Sequence, residues 1–180
     1  MKPMIKIIFF IFLLLFNLKI YAKEIIVEFN STNFFELGSL IKNNQNDGNL
    51  VLLFEDDYYD MSVINTVSAV DISVNSNISF IGNKNGTVFD YNYGKIGGFK
   101  FDFSRLKNDT VKFENITFKK YKEKVISQGM TTLTVFSSTD NYNMIFNNCN
   151  FIENEYVILN IVLTCKKTSN PFIFFNNCNF

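Results

Sequence analysis

Phe113-Glu114-Asn115-Ile116-Thr117-Phe118 is one copy of a six-residue unit that recurs as Phe146-Asn147-Asn148-Cys149-Asn150-Phe151 and as Phe175-Asn176-Asn177-Cys178-Asn179-Phe180. The shared form is F-x-N-[I/C]-x-F, and a looser copy begins with Phe80-Ile81-Gly82. The first residues of the four copies lie 33, 33 and 29 positions apart. A nearly constant period in this range predicts a fold of stacked repeats.

The two Phe residues of each copy cannot share one face of an unbroken strand, because residues an odd number apart point to opposite faces. The fourth position is also apolar. All three apolar positions reach one core only if the chain turns at the third position, which is Asn in the full copies and Gly82 in the loose one. Both residue types tolerate left-handed backbone angles. The predicted structural positions are Phe113, Asn115, Ile116, Phe118, Phe146, Asn148, Cys149, Phe151, Phe175, Asn177, Cys178 and Phe180.

Stacking of these corners predicts an all-β fold, a right-handed parallel β-helix (solenoid) with coils about 4.8 Å apart. The Asn residues of successive corners would then form a side-chain amide ladder. Together with the stretch Ile78–Asp90, the units resemble pectin-lyase-like β-helix repeat proteins. They are most similar to the Asn- and Phe-rich secreted repeat proteins of anaerobic fungi, which include scaffoldins. The resemblance covers roughly residues 24–180 and implies the fold, whereas this fold hosts enzymes, adhesins and scaffolds alike.

The composition favours a folded domain and excludes several functions. Hydrophobic residues make up 47% of the 180 residues, which is too many for a disordered chain. The 26 Asn residues could reflect ladders or merely AT-rich codons. A net charge of zero gives no electrostatic footprint for nucleic acid. Because the chain has no His, it lacks the imidazole that Ser-His-Asp and Cys-His sites require.

The chain divides into three predicted segments. Residues 1–22 have the basic start, apolar run and small final residue of a signal peptide, which predicts a secreted protein without a membrane span after cleavage. A membrane anchor is the alternative, but the apolar run is too short to cross a bilayer. Residues 23–48 predict a strand and a short amphipathic capping helix, with Thr32 or Asn33 as N-cap. Residues 49–180 are the coils.

The chain stops on Phe180, the last position of a repeat. Repeat proteins usually carry an atypical terminal unit. This predicts that the coils are truncated at the C-terminus; the alternative is a bare last coil that makes end-to-end contact with a partner.

Cysteines and sequons offer few chemical sites. Cys149 and Cys178 occupy equivalent positions, which favours an inward apolar stack over a disulfide, and Cys165 has no evident mate. Without C-x-x-C pairs or His, a zinc site is not expected. Of the five Asn-x-Ser/Thr sequons, Asn85 and Asn108 are the best glycosylation candidates because they fall in predicted turns. The Asn115 sequon should stay unmodified if the amide ladder lies inside.

No residue pattern predicts catalysis, and no cofactor is implied. The acidic turn at residues 55–60 supplies weak metal candidates in Asp56, Asp57 and Asp60, although a solvated turn is favoured. Tyrosine stacks on sugars and suits interfaces, so the carbohydrate-contact candidates are Tyr58, Tyr59, Tyr91 and Tyr93; partial burial under loops is the alternative.

The preferred function is a secreted, non-catalytic module that acts as an extracellular scaffold, adhesion or contact surface. Its partners would be extracellular polysaccharides or cell-surface and complex proteins. The alternative is a polysaccharide lyase or glycoside hydrolase of the pectin-lyase-like fold. The resemblance implies calcium-binding acids with an Arg or Lys base for a lyase, and grouped Asp residues for a hydrolase. No spacing ties the single arginine, Arg105, to the acidic turn.

Overall fold

A computed structural model describes residues 22–45, 48–64, 69–94, 97–103, 108–122, 133–137, 142–155, 159–163 and 173–180. The predicted signal peptide lies outside these residues except for Ala22, and so do Arg105 and Cys165.

The described residues are dominated by short strands, with two short helices near the start. In chain order the elements are β1 Lys23–Val27, α1 Thr32–Phe35, α2 Leu37–Asn44, β2 Leu50–Phe54, β3 Tyr58–Asp60, β4 Ala69–Ser73, β5 Ile78–Gly82, β6 Thr87–Asp90, β7 Gly98–Phe103, β8 Asp109–Glu114, β9 Ile116–Lys119, β10 Leu133–Ser137, β11 Tyr142–Asn147, β12 Asn150–Ile152, β13 Leu159–Leu163 and β14 Ile173–Asn176. A 3-10 turn, Met61–Val63, follows β3.

These strands form three parallel sheets. Sheet 1 has the order β1-β2-β5-β8-β11-β14, sheet 2 the order β3-β6-β9-β12, and sheet 3 the order β4-β7-β10-β13. From β2 onward the chain enters sheets 1, 2 and 3 in turn. Each strand pairs with the strand three places earlier in the chain, so that β5 pairs with β2 and β8 pairs with β5. The predicted all-β architecture of stacked parallel strands is confirmed, and the order is compatible with a β-helix.

The repeats lie in register, as their spacing predicts. The first Phe of each copy lies in register with the next on adjacent strands of sheet 1, which gives the column Phe80–Phe113–Phe146–Phe175. Their rings stack with centroid distances of 4.6, 5.3 and 4.8 Å. A second column, Phe118–Phe151–Phe180, stacks at 5.0 and 5.1 Å. The interior is therefore built on columns of phenylalanine, whose burial supplies the main driving force for stacking.

The predicted one-residue corner is confirmed in the three full copies. Asn115, Asn148 and Asn177 have φ of 57°, 53° and 52°, which lie in the left-handed region. The corner prediction is wrong for Gly82, which lies within β5, while the chain turns later at Gly86 with φ of 96°. Gly82 is needed for space instead, because a Cβ there would lie 2.3 Å from the carbonyl oxygen of Asn115.

The predicted amide ladder exists, but it lies on the outside of the coils. Nδ2 of Asn148 donates to Oδ1 of Asn115, and Nδ2 of Asn177 donates to Oδ1 of Asn148, both at 3.3 Å. Asn148 and Asn177 are exposed. The first, fourth and sixth positions of the first two full copies are buried, so the corner side chain points away from the core. An interior location therefore does not protect the Asn115 sequon.

The predicted amphipathic character of the N-terminal helix is confirmed, because its apolar residues Phe34, Leu37 and Ile41 are all fully buried. The helix is divided at Glu36, and its N-cap is Ser31 rather than Thr32 or Asn33. Ser31 has extended backbone angles, and its hydroxyl accepts a hydrogen bond from the backbone N–H of Phe34 at 3.2 Å.

Candidate contact surface

The acidic turn does not gather its carboxylates around one position. Asp56 accepts a hydrogen bond from the backbone N–H of Phe29 at 2.7 Å, and Asp57 accepts one from Nδ2 of Asn83 at 2.6 Å. Asp60 caps the 3-10 turn by accepting from the backbone N–H of Ser62 at 3.0 Å. Within the described ranges, no three His, Cys, Asp or Glu side chains converge as metal ligands.

Only part of the predicted turn is a turn, because Tyr58–Asp60 forms β3 and pairs with β6. This pairing decides the positions of the first two tyrosine candidates. Tyr58 points outward and is 45% exposed, whereas Tyr59 is fully buried. The hydroxyl of Tyr59 donates to the carbonyl of Val27, and burial raises the pKa of this phenol. Tyr59 is therefore a core residue, and its prediction as a carbohydrate contact is wrong.

The second tyrosine pair also separates. Tyr91 is fully buried and packs against the ring of Tyr121 at 5.1 Å, so its prediction as a surface contact is wrong. Tyr93 is 51% exposed. The two do not share a face, since Asn92 and Tyr93 have φ of 49° and 56° and the chain turns there instead of running extended. Burial raises the pKa of Tyr91, as expected for a phenol removed from water.

Charged side chains surround the exposed tyrosines. The ammonium group of Lys120 lies 5.5 Å from the ring centre of Tyr93 and 3.4 Å from Oδ2 of Asp90. The Tyr93 hydroxyl lies 3.4 Å from Oε2 of Glu153. Partial burial, followed by the negative charges of Asp90 and Asp60, raises the pKa of Tyr58. Tyr93 therefore contacts both a cationic and an anionic side chain, and Tyr58 lies within the electrostatic influence of the same Lys120 and Asp90.

The outer strand face of sheet 2 carries a ladder beyond the corner positions. Asn150 Nδ2 donates to Oγ1 of Thr117 at 3.2 Å, and Asn179 Nδ2 donates to Oδ1 of Asn150 at 2.8 Å. The column of Asn179, Asn150 and Thr117 continues to earlier coils, because Thr117 pairs with Val88 and Val88 pairs with Tyr58. This ladder could have been predicted from Asn at the fifth position of two copies. It was missed because the first copy has Thr117 there instead of Asn.

Three further hydrogen bonds between Asn side chains lie elsewhere on the surface. Nδ2 to Oδ1 distances are 2.9 Å for the pairs Asn176–Asn147, Asn143–Asn108 and Asn77–Asn49. The pairs Asn176–Asn147 and Asn77–Asn49 join equivalent positions of neighbouring coils. The pair Asn143–Asn108 is diagonal, because Asn143 lies opposite Thr110 in the register.

A cleft of 240 Å³ lies where the corner ladder and the sheet 2 ladder run side by side. One end is formed by the turn after β5, and the floor by the two ladders. Its lining residues are Lys84, Asn85, Gly86, Val88, Asn115, Thr117, Asn148 and Asn150. Two of the predicted structural corners, Asn115 and Asn148, thus belong to the candidate contact surface.

The cysteine stack is confirmed for the described residues. Cys149 and Cys178 are free, Cys149 is buried and Cys178 is partly buried. Their thiols donate to backbone carbonyls of Asn147 and Phe146, both at 3.4 Å. Burial raises the pKa of Cys149 to about 12, so this thiol is a poor nucleophile at neutral pH. The predictions for Cys165 fall outside the described residues.

Both glycosylation candidates present exposed side chains. Asn85 lies in the turn after β5, and Asn108 immediately precedes β8, where its Oδ1 accepts from Asn143. Their modification stays a prediction.

Comparison of the chain with family models, curated proteins and solved structures gave no match. Among the helices in the described residues, none has the length and apolar character needed to span a membrane.

Proposed function

We propose that this protein is a secreted right-handed parallel β-helix module that works as a non-catalytic contact surface. The order of strands supports the coiled fold, because the chain visits three parallel sheets in turn and returns in register. Helix α2 packs beside β4, where the methyl of Val70 lies 3.5 Å from the position of a Cβ on Gly38. It would cover the first coil as a cap.

The observation that carries the contact role is the set of amide ladders on the outer faces. Each ladder fixes uncharged donors and acceptors at equivalent positions of successive coils. Fixed polar groups on a rigid scaffold can engage a partner with little loss of side-chain entropy. The exposed rings of Tyr58 and Tyr93 add apolar area with polar tips, and Tyr58 lies in register with the strand that carries Thr117.

The resemblance to Asn- and Phe-rich secreted repeat proteins supports an extracellular role near other surface or complex proteins. An extracellular polysaccharide is the other partner class, and the predicted signal peptide would direct the chain to either. N-terminal sequencing of the secreted protein tests the first step, with Lys23 as the expected first residue.

Turnover assays separate the contact module from an enzyme of the same fold. The secreted chain is incubated with pectic and other acidic polysaccharides in the presence of calcium, and unsaturated ends and reducing ends are measured. We expect neither product to form above the blank. Turnover that disappears in Asp57→Ala would contradict the proposal, since it would assign chemistry to the acidic turn.

A further inference from the structure

Two polar ladders run parallel along the stacking direction and border one cleft. The corner ladder is Asn115–Asn148–Asn177, and the strand ladder is Thr117–Asn150–Asn179. Within each coil the two positions are separated by one residue, and four of these side chains line the cleft together. Coils repeat about every 4.8 Å, so the cleft presents the same groups at regular intervals.

The ladders leave binding capacity unused. A primary amide has two N–H donors and a carbonyl oxygen with two lone pairs. Along the ladder, Asn148 donates one N–H to Asn115 and accepts one from Asn177. One N–H and one lone pair of that amide are left for a ligand, and the ladder holds the side chain in place. The same count applies to Asn150 between Thr117 and Asn179.

The lining is uncharged except at one end. Among the described lining residues, Lys84 carries the only charge. A groove for an acidic polymer would need cations at successive coils, because each anionic group must be compensated. Repeated neutral donors and acceptors instead match a ligand whose hydroxyl groups recur along its length.

An aromatic ring completes the strand column. Tyr58 pairs in register with Val88, which pairs with Thr117, so the exposed ring lies at the end of the same outward column. A flat face with a polar tip suits stacking against a sugar ring.

We propose that this cleft binds a neutral linear glycan lengthwise, parallel to the stack of coils. The glycan hydroxyls exchange hydrogen bonds with the free amide groups of the two ladders. The inference rests on the proposed contact function, and it specifies the ligand class and the surface.

Binding of cellohexaose, xylohexaose and mannohexaose to the secreted chain is measured by calorimetry, with polygalacturonate oligomers as the acidic comparison. At least one neutral glycan should bind, with little dependence on salt. Affinity should rise with chain length until the glycan spans the coils of Val88, Thr117, Asn150 and Asn179. The double variant Thr117→Val with Asn150→Ala should bind about tenfold more weakly, as expected for the loss of two hydrogen bonds.

The matched control is Asn143→Ala, which removes an equivalent amide contact with Asn108 on sheet 1, away from the cleft. It should leave affinity within about twofold of the starting protein. Thr117→Val alone keeps the β-branched shape and should weaken glycan binding about threefold. This single variant tests the inference even if the double variant folds poorly. Thermal unfolding of each variant establishes that the fold is intact.

Binding that is unchanged in the double variant would overturn this inference and leave the contact function standing. The inference also fails if no neutral glycan binds, or if only the acidic oligomers bind in a salt-dependent manner. Cleavage of a glycan would instead contradict the proposed non-catalytic function, whichever variant is tested.

Discussion

Replacing Phe113 by Ala tests whether the phenylalanine columns hold the coils together. The ring is fully buried and lies between Phe80 at 4.6 Å and Phe146 at 5.3 Å, with interplanar angles of 14° and 2°. Phe118 meets it edge-on at 5.4 Å. The side chain therefore belongs to two coil interfaces at once, and its removal leaves a cavity that both neighbours line.

The expected loss of unfolding free energy is about 4 kcal/mol, the middle of the range for buried Phe to Ala changes. Phe113→Leu keeps most of the volume and should cost about 1.5 kcal/mol. Phe175→Ala is the matched control, because Phe175 occupies the same column but is 38% exposed and stacks on one face, against Phe146. Its expected cost is about 2 kcal/mol, since less area leaves water on folding.

Urea denaturation followed by circular dichroism and tyrosine fluorescence measures these changes, because the chain contains no Trp. Coils contact only their neighbours, so the two signals must coincide before a single free energy is assigned. The reasoning would be refuted if Phe175→Ala cost as much as Phe113→Ala, or if Phe113→Ala cost less than about 1 kcal/mol. Either result would mean that Phe113 does not occupy the centre of the stack.

Three further predictions concern the corners and the core. Asn148→Ala should be about 1 kcal/mol less stable than Asn148→Gly, because both lose the ladder but only Ala is strained at φ of 53°; urea midpoints compare them. Gly82→Ala should lower stability by about 2 kcal/mol through its clash with Asn115, whereas Gly38→Ala in α2 should raise it by about 0.5 kcal/mol. Cys149 should resist iodoacetamide at pH 8, because its raised pKa of about 12 suppresses the thiolate. The free energy of unfolding should also fall as the pH rises from about 9 toward 12, because in this range the thiol ionises in the unfolded chain but not in the folded protein. Rapid labelling of Cys149 in the folded protein, seen by mass spectrometry, would contradict its burial.

The corner in the repeat was predictable because the two Phe residues of each copy are an odd number of positions apart. Apolar residues at the first, fourth and sixth positions reach one core only if the chain bends, and Asn at the third position can adopt the required left-handed angles in place of glycine. The loose copy shows where this reasoning fails. Glycine is suited both to left-handed angles and to close backbone approach, and at Gly82 the second need applies. The sequence alone does not distinguish the two.

The contact surface was harder to predict because it depends on register between coils. Strand β3 has three residues, too few for alternation to show that Tyr58 faces outward and Tyr59 inward. The outer column was hidden for a different reason. Thr117 and Asn150 differ in type, yet a hydroxyl and an amide can be consecutive members of one ladder.

The register also bears on why the chain is rich in asparagine. Codon bias would scatter Asn without regard to position in the coil. Instead, Asn recurs at equivalent positions in four surface columns of the described residues, and within each column neighbouring Asn side chains are hydrogen-bonded. A slip by one residue would break these contacts and also turn the Phe columns outward. The amides therefore select the same alignment as the core, so that the outer surface is as regular as the interior beneath it.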